Sequence, residues 1–285
     1  MNPAYVPLRA HSEYSITDSI IRIKDYVALA KEQGVPALAL TDLMNTFGLL
    51  KFYKVCRSAG IKPICGADVR VENPDNPDTP YRALLLVRNH AGYIRLNELL
   101  TAAYEAPDRD PHTPQLRQAW LAAGDNGGLL CLSGAHLGEV GTHLMRGAYE
   151  QAAAAAEKYA AWFPDAFYLE LQRLPEKPEW ETAVSGSLKI AAAQNLPVVA
   201  THPVQFLRRE DYQAHDVRVC IAGGWTLNDA KRPHDFVPGQ YLADPAEIQN
   251  RFADIPSALA NSAEIAKRCN LTLTLGKNFL PLFPT

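Results

Sequence analysis

Short apolar runs alternate along this chain with longer segments of helical periodicity, and this alternation restricts the possible folds more than any other feature. The runs are rich in Leu, Val and Ile, and most are almost continuously apolar, as strands buried on both faces must be. The pattern predicts an α/β fold. The predicted strands are Val6–Ala10, Ala37–Thr41, Lys62–Val71, Arg82–Val87, Gly128–Leu132, Phe167–Gln172 and Leu196–Thr201.

Helices are predicted between these strands, and several have readable ends. Lys24–Gln33 is followed by Gly34, Thr46–Ala59 is followed by Gly60, and the alanine-rich segment Tyr149–Trp162 precedes a proline. About seven βα units are therefore expected. Because the chain has neither a glycine-rich dinucleotide turn nor a Walker-type loop, a barrel is favoured over a nucleotide-binding open sheet.

Composition excludes several classes of protein. The 285 residues include 28 Lys and Arg against 31 Asp and Glu, a net charge of −3 that argues against a surface coated by nucleic acid. No apolar run approaches the roughly 20 residues of a membrane span, and the N-terminus lacks the pattern of a signal peptide. The five cysteines are scattered singly, as expected of reduced thiols. We predict a cytoplasmic protein without a membrane partner.

Two segments interrupt the alternation. Glu72–Pro80 is dense in Pro, Asp and Asn and predicts a hairpin-like surface excursion between two strands. Pro245–Cys269 predicts one or two helices that are interrupted at Ile255-Pro256. The final NFLPLFPT is apolar and contains two prolines, so we expect the sequence to continue into a further domain.

Four acidic or histidine side chains fall at or near predicted strand ends in the N-terminal half: His11, Asp18, Asp42 and Asp68. Neighbouring strand ends of a barrel point into one cleft, and imidazole with carboxylate is a ligand set for zinc, manganese or iron. Structural roles are open as well, because Asp42 could cap the following turn and Asp18 could be a helix N-cap.

Several long motifs resemble a known family. LRAHSEYSITDS, GVPALALTDLMNTFGLLKFYKVCRSAGIKPICGADV, GLLCLSGAHLGEVG and LPVVATHPVQFLRREDYQAHDVRVCIAGGWTLND are similar, in order, to the polymerase and histidinol phosphatase (PHP) domain of bacterial DNA polymerase III alpha subunits. The resemblance covers essentially the whole chain. It implies a distorted (β/α)7 barrel at residues 1–270, with C-terminal helices and a linker at 271–285 leading towards a polymerase core that lies beyond this sequence.

The chain departs from the metal-binding consensus of that family at the first three strands. The expected His-x-His reads Arg-Ala-His at positions 9–11, so a permanent cation replaces one imidazole. Asp42 is followed by Leu43 instead of the expected His. The Glu expected after the third strand is the shorter Asp68.

Further departures occur in the second half of the sequence. Ala135 and Leu174 stand where the resemblance implies metal ligands, and the closing Asp-x-His reads Pro-Val-Gln at positions 203–205. His202 lies one residue ahead of the expected carboxylate, and a shift of one residue along a strand reverses the direction of a side chain. His136 and His202 could replace a lost ligand, but a single histidine at a strand end is more often structural.

A two- or three-metal phosphoesterase site needs nearly all its ligands to offset the repulsion between the cations. We therefore predict a metal-free, salt-bridged remnant without catalytic residues, in which Arg9 could pair with a carboxylate. The alternative is one weakly bound metal on His11, Asp18, Asp42 and Asp68. The residues expected in this vestigial cleft are Arg9, His11, Asp18, Asp42, Asp68 and His202.

The resemblance implies that the intact protein is a DNA-directed DNA polymerase, whose Mg-dependent nucleotidyl transfer, replisome contacts and primer-template DNA belong to other domains. For this domain it implies a scaffold that packs on the polymerase thumb and docks a separate 3'-5' proofreading exonuclease. The docking face is expected on the N-terminal segment and the loops around Pro74–Pro80 and Asp108–Pro114. The rivals are a residual phosphoesterase or pyrophosphatase and a stand-alone histidinol-phosphatase-like enzyme. Direct DNA contact through Arg208-Arg209 or Lys231-Arg232 is the weakest hypothesis.

Overall fold

Six strands form one sheet in the computed structural model of the chain, which describes residues 5–107 and 113–277. The strands follow one another in the sheet in the order in which they occur in the sequence. Their bounds agree with the predicted ones to within two residues at each end. They are β1 (Ala37–Leu40), β2 (Lys62–Val71), β3 (Tyr81–Val87), β4 (Leu129–Leu132), β5 (Phe167–Leu171) and β6 (Val198–Ala200).

The sheet is mixed. β1 and β2 are parallel, as are β4, β5 and β6, but β3 runs antiparallel to both of its neighbours. The apolar run of β3 does not by itself indicate this direction, because antiparallel and parallel strands look alike in sequence when both faces are buried. The predicted surface excursion at Glu72–Pro80 is the turn that allows β3 to return beside β2.

The extended N-terminal segment brings the two edges of this sheet together. On one side, Ala39 N–H donates to the carbonyl of Pro7 at 3.0 Å. On the other side, His11 N–H donates to the carbonyl of Val204 at 3.0 Å, just after β6. The segment forms only an isolated bridge instead of the predicted strand Val6–Ala10, since Pro7 has no N–H to donate to a ladder. The sheet is thereby curled into a distorted barrel.

Helices surround the sheet and hold the N-terminal segment in place. Val6 N–H donates to Ser262 Oγ at 3.0 Å, so the last helix fixes the entry of the chain into the barrel. The helices are α1 (Ile23–Glu32), α2 (Leu49–Ala59), α3 (His90–Glu105), α4 (Gln118–Ala123), α5 (Glu139–Met145), α6 (Tyr149–Trp162), α7 (Glu181–Gln194), α8 (Tyr212–Gly223), α9 (Pro245–Arg251) and α10 (Pro256–Arg268).

The predicted helix ends are largely reproduced. α6 has the predicted bounds, and the break at Ile255-Pro256 separates α9 from α10. α2 begins at Leu49, three residues later than predicted. Its Gly60 has φ 77°, the left-handed conformation that ends a helix without the steric cost of a Cβ.

Two clusters of buried apolar side chains form the core, and all five cysteines are free and buried, as predicted. Burial raises the pKa of the Cys56 thiol to about 12, so it behaves as a small hydrophobic side chain. None of the helices in the described part of the chain has the length and apolar character needed to cross a bilayer.

Candidate functional site

Arg9 is a buried cation at the centre of the barrel mouth. The extended N-terminal segment that carries it lies beside β1 and the chain after β6, and only 6% of the residue is exposed. Its Nε and Nη2 donate to the two carboxylate oxygens of Glu170 at 2.8 and 3.0 Å. Its Nη1 donates to Asp68 Oδ2. One planar guanidinium therefore bridges carboxylates on two strands, a geometry that a lysine ammonium cannot reproduce.

Asp68 receives a second guanidinium from Arg82 on β3. Arg82 Nε and Nη2 lie 3.1 and 2.7 Å from the two carboxylate oxygens. Burial opposes the charged form of Asp68, but the nearby Arg82 and Arg9 outweigh it and hold the pKa of this carboxyl well below its usual range. Burial opposes the charge of Arg82 as well, but Asp68 and Asp18 together raise its pKa. Asp68 is thus an anion held between two permanent cations.

His11 completes the contacts of Asp68. Its Nε2 lies 3.1 Å from Asp68 Oδ2, and its Nδ1 lies 3.4 Å from Asp18 Oδ2. Burial disfavours the imidazolium, yet the two carboxylates outweigh it and raise the pKa of His11 above its usual value. Burial likewise opposes the charge of Asp18, but the contact with His11 lowers the pKa of this carboxyl. Asp68 then has four donor contacts, three at Oδ2 and one at Oδ1.

The protonation of His11 leads to a testable pH dependence. Because the pKa of His11 is higher in the folded state, its stabilising effect is complete below the unfolded value near 6.5 and is lost as the pH rises through the folded value. We expect the stability advantage of the wild-type protein over His11→Asn to shrink as the pH rises above about 6.5. Urea unfolding of both proteins between pH 6 and 9 measures this difference, and an advantage that is constant or growing would contradict it.

Glu170 anchors the other end of Arg9. It is the fourth of the five residues of β5 and is 2% exposed. Thr201 Oγ1 donates to Glu170 Oε1 at 2.6 Å, and the backbone N–H of Gly134 donates to Oε2 at 3.1 Å. The carboxylate therefore ties β5 to the chain after β4 and to the end of β6.

Asp42 has a structural hydrogen-bonding role. Its oxygens accept from the backbone N–H of Ser12 at 2.6 Å and from the Ser12 and Ser15 hydroxyls at 2.7 to 3.0 Å. These bonds fix the short turn that follows His11. The contact corresponds to the capping alternative considered from the sequence, although the turn it caps precedes Asp42 in the chain.

His202 does not lie with the other predicted residues. Its Nε2 donates to the carbonyl of Tyr241 at 2.8 Å, and its Nδ1 lies 3.3 Å from Arg251 Nη1. Burial and the Arg251 charge lower its pKa to about 3, so the ring is neutral. The prediction that His202 belongs to the cleft is wrong, because its position one residue ahead of the consensus turns the ring towards α9.

His136, the other candidate for a replacement ligand, packs against an aromatic ring. Its imidazole stacks on Trp180 with the ring centroids 3.7 Å apart. Burial and the nearby Arg9 lower its pKa to about 3. It is a neutral side chain in the wall of the cleft, a structural arrangement of the kind expected for a single histidine at a strand end.

The cluster opens into a cleft of about 450 Å³ at the barrel mouth. Its walls include Arg9, Asp18, Asp68 and Arg82, with Lys177 further out. A metal centre does not fit these donors, since the oxygens of Asp68 already accept from cations and two guanidinium groups would repel a dication. Within residues 5–107 and 113–277, no group of three His, Cys, Asp or Glu side chains is positioned to hold a metal ion.

The sequence located part of this site and missed two of its residues. Arg9, His11, Asp18 and Asp68 come together, although Asp68 lies within β2 and not at a strand end as predicted. Arg82 and Glu170 were missed. Each is a single charge within an otherwise apolar strand, YRALLLV or FYLEL, and that pattern was a signal that could have identified both.

Comparison with known proteins agrees with this architecture. The PHP domain family matches residues 7–174, more than half of the chain. The chain belongs to the PHP domain family. The matched residues of this PHP domain include Arg9, Asp68, Arg82 and Glu170, all the members of the guanidinium–carboxylate cluster.

Relatives of the PHP domain are similar over nearly its full length. DNA polymerase III subunit alpha of Neisseria meningitidis serogroup B is 65% identical over 283 residues, which are 99% of this chain and 25% of that protein. The subunits of Vibrio cholerae and Escherichia coli K12 are 43% and 42% identical, over 100% and 99% of this chain and 24% of each relative. The chain thus spans about a quarter of the length of the curated relatives it matches.

Among solved structures, a Bifidobacterium adolescentis protein assigned as a metal-dependent phosphoesterase matches with a TM-score of 0.46 and 13% sequence identity. The match covers 70% of this chain and 88% of that protein.

Proposed function

We propose that this PHP domain belongs to a replicative DNA polymerase III alpha subunit and acts there as a scaffold without hydrolase activity of its own. The observation that carries the proposal is the contact of Asp68 with the guanidinium groups of Arg9 and Arg82. These contacts use the carboxylate that a metal centre would need and place positive charge where a metal would bind. The identity to the alpha subunits named above supports the assignment to a polymerase.

The intact protein is, in this proposal, a cytoplasmic DNA-directed DNA polymerase of chromosomal replication. Nucleotidyl transfer requires Mg²⁺ held by carboxylates, and those carboxylates belong to domains outside these 285 residues. The same domains contact the primer-template DNA and the other replisome subunits. We take the PHP domain to extend to residue 270 and residues 271–285 to be a linker, of which 278–285 lie outside the described residues.

The scaffold has two tasks in this proposal: it packs against the polymerase thumb, and it docks a separate 3'-5' proofreading exonuclease. The docking surfaces expected from the sequence differ in their exposure. The N-terminal residues Tyr5–Ala10 are buried. The loop at Pro74–Pro80 is exposed and polar, and residues 108–112 lie outside the described residues.

Co-purification tests the scaffold role. We expect the protein to co-elute with the proofreading exonuclease subunit of the same bacterium in gel filtration. We also expect Asp68→Asn to reduce this association only as far as it unfolds the domain. Independent elution of the two wild-type proteins at micromolar concentration would refute the docking role.

A pyrophosphatase assay tests the rival enzymatic role. We expect manganese to produce no phosphate release from pyrophosphate beyond that of the His11→Ala and Asp42→Ala variants, because the oxygens of Asp42 and Asp68 are already bonded. A wild-type activity that both substitutions abolish, while exonuclease binding leaves it unchanged, would establish the rival.

A further inference from the structure

α8 has an apolar stripe on its solvent side. Ala214, Val217 and Ile221 recur at helical spacing, and Ile221 is 75% exposed. His215 and Cys220 lie on the opposite side of the helix and are buried. A helix with apolar residues on both sides is typically covered on both sides. The outward stripe therefore lacks a partner among the described residues.

The chain that follows α8 extends this stripe with an aromatic side chain packed against the helix end. Gly224 has φ 71° and ends the helix, and Trp225 N–H then donates back to the carbonyl of Cys220 at 2.8 Å. A Cβ at Gly223 would lie 2.6 Å from Trp225 Cδ1, so the glycine lets the indole lie against the helix end. Trp225 and Leu227 remain 37% and 50% exposed.

The charge on this surface is also unbalanced. α8 carries two charged side chains, Asp216 and Arg218. Arg232 neutralises Asp216 through two hydrogen bonds of 2.6 and 2.8 Å. Arg218 makes no ion pair with the residues the structure describes, and it lies within the apolar stripe. Trp and Arg are the side chains most enriched at the centres of protein interfaces.

A second exposed apolar area lies on α2 and α3, around Leu50 and Ile94. It differs from the first because a groove beside Leu50 is bordered by residues 272–277 of the chain itself. α8 has no such neighbour among the described segments. The α8 surface consists of Ala214, Val217, Arg218, Ile221, Trp225 and Leu227.

We propose that the α8 surface is where the proofreading exonuclease docks, and that its occupant is an amphipathic segment of that subunit with large apolar side chains beside a carboxylate. The apolar stripe supplies buried area, and Arg218 selects a segment of negative charge. This inference rests on the scaffold role proposed above and adds to it the face and the chemistry of the partner segment.

Matched substitutions of exposed helical residues test the surface. In the purified protein, Ile221→Ser is expected to weaken binding of the exonuclease subunit at least tenfold by calorimetry or surface plasmon resonance. Ile94→Ser on α3 is the control and is expected to bind as the wild type does. Ile221 and Ile94 are 75% and 44% exposed, so the unfolding free energies are expected to stay near the wild-type value and to exclude misfolding as the cause.

Charge reversal tests the nature of the occupant. Arg218→Glu is expected to weaken binding tenfold or more at 50 mM salt and less at 500 mM salt, because screening reduces the attraction it removes. Wild-type affinity in both Ile221→Ser and Arg218→Glu would overturn the assignment of this surface while leaving the scaffold role intact. If Ile221→Ser weakens binding and Arg218→Glu does not, the proposal that the segment is acidic is wrong. Absence of binding by the wild type would overturn the scaffold role and this inference together.

Discussion

Asp68→Asn is expected to lower the free energy of unfolding by about 3–5 kcal/mol. The substitution keeps the shape of the side chain but removes the charge that Arg9, Arg82 and His11 share. Two guanidinium groups would then remain side by side in a buried site, with Glu170 bonded to Arg9 and Asp18 as the other nearby carboxylate. Breaking a buried ion cluster in this way is costly because the remaining charges cannot regain their hydration.

The matched control is Asp254→Asn. Asp254 also accepts from an arginine, with Arg173 Nη1 and Nη2 at 2.6 and 3.0 Å from its oxygens, but its side chain is 59% exposed. Solvent screens that pair, so the same chemical change is expected to cost less than about 1 kcal/mol. Denaturant unfolding at pH 7 gives both values. Equal losses for the two variants would mean that the Asp68 cluster does not stabilise the barrel as proposed.

Arg9→Lys is expected to lower the free energy of unfolding by about 2–4 kcal/mol even though it preserves the charge. Arg9 uses three nitrogens to hold Asp68 and Glu170 at once. A lysine ammonium is a point donor and cannot align with both carboxylates, which leaves at least one of them poorly paired in a buried site.

Arg209→Lys is the control for this second substitution. Arg209 makes a single 2.6 Å contact with Glu176, and its side chain is 56% exposed, so a lysine can replace it with a change within about 0.5 kcal/mol. A fully stable Arg9→Lys variant would show that charge alone maintains the cluster and that the planar geometry of the guanidinium is unimportant.

The strands could be predicted from sequence because buried strands are continuous apolar runs with clear turn residues at their ends. The apolar pattern of β3 carries no information about its direction, and the signal for its reversal is the hairpin-like excursion at Glu72–Pro80. The N-terminal segment looked like a strand, but its pairing is limited to isolated contacts on either side.

The composition of the cluster was harder to predict than the fold. Arg9 and Glu170 are 161 residues apart, and their contact depends on how the curled sheet brings β5 beside the N-terminal segment. Sequence identified Arg9 as a cation that could pair with a carboxylate, yet it could not select the carboxylates. The direction of the His202 side chain could not be predicted either, because it depends on the local backbone after β6.

Metal analysis tests the central claim, that paired guanidinium and carboxylate groups replace a metal centre in this barrel. The protein should be purified without chelator and analysed for zinc, manganese and iron. Its crystals should then be soaked in Mn²⁺ and measured for anomalous scattering. We predict less than stoichiometric metal and no anomalous peak near Asp68, with Arg9 and Arg82 still bonded to it. Two metal ions bridged by Asp68 at the barrel mouth would contradict the account.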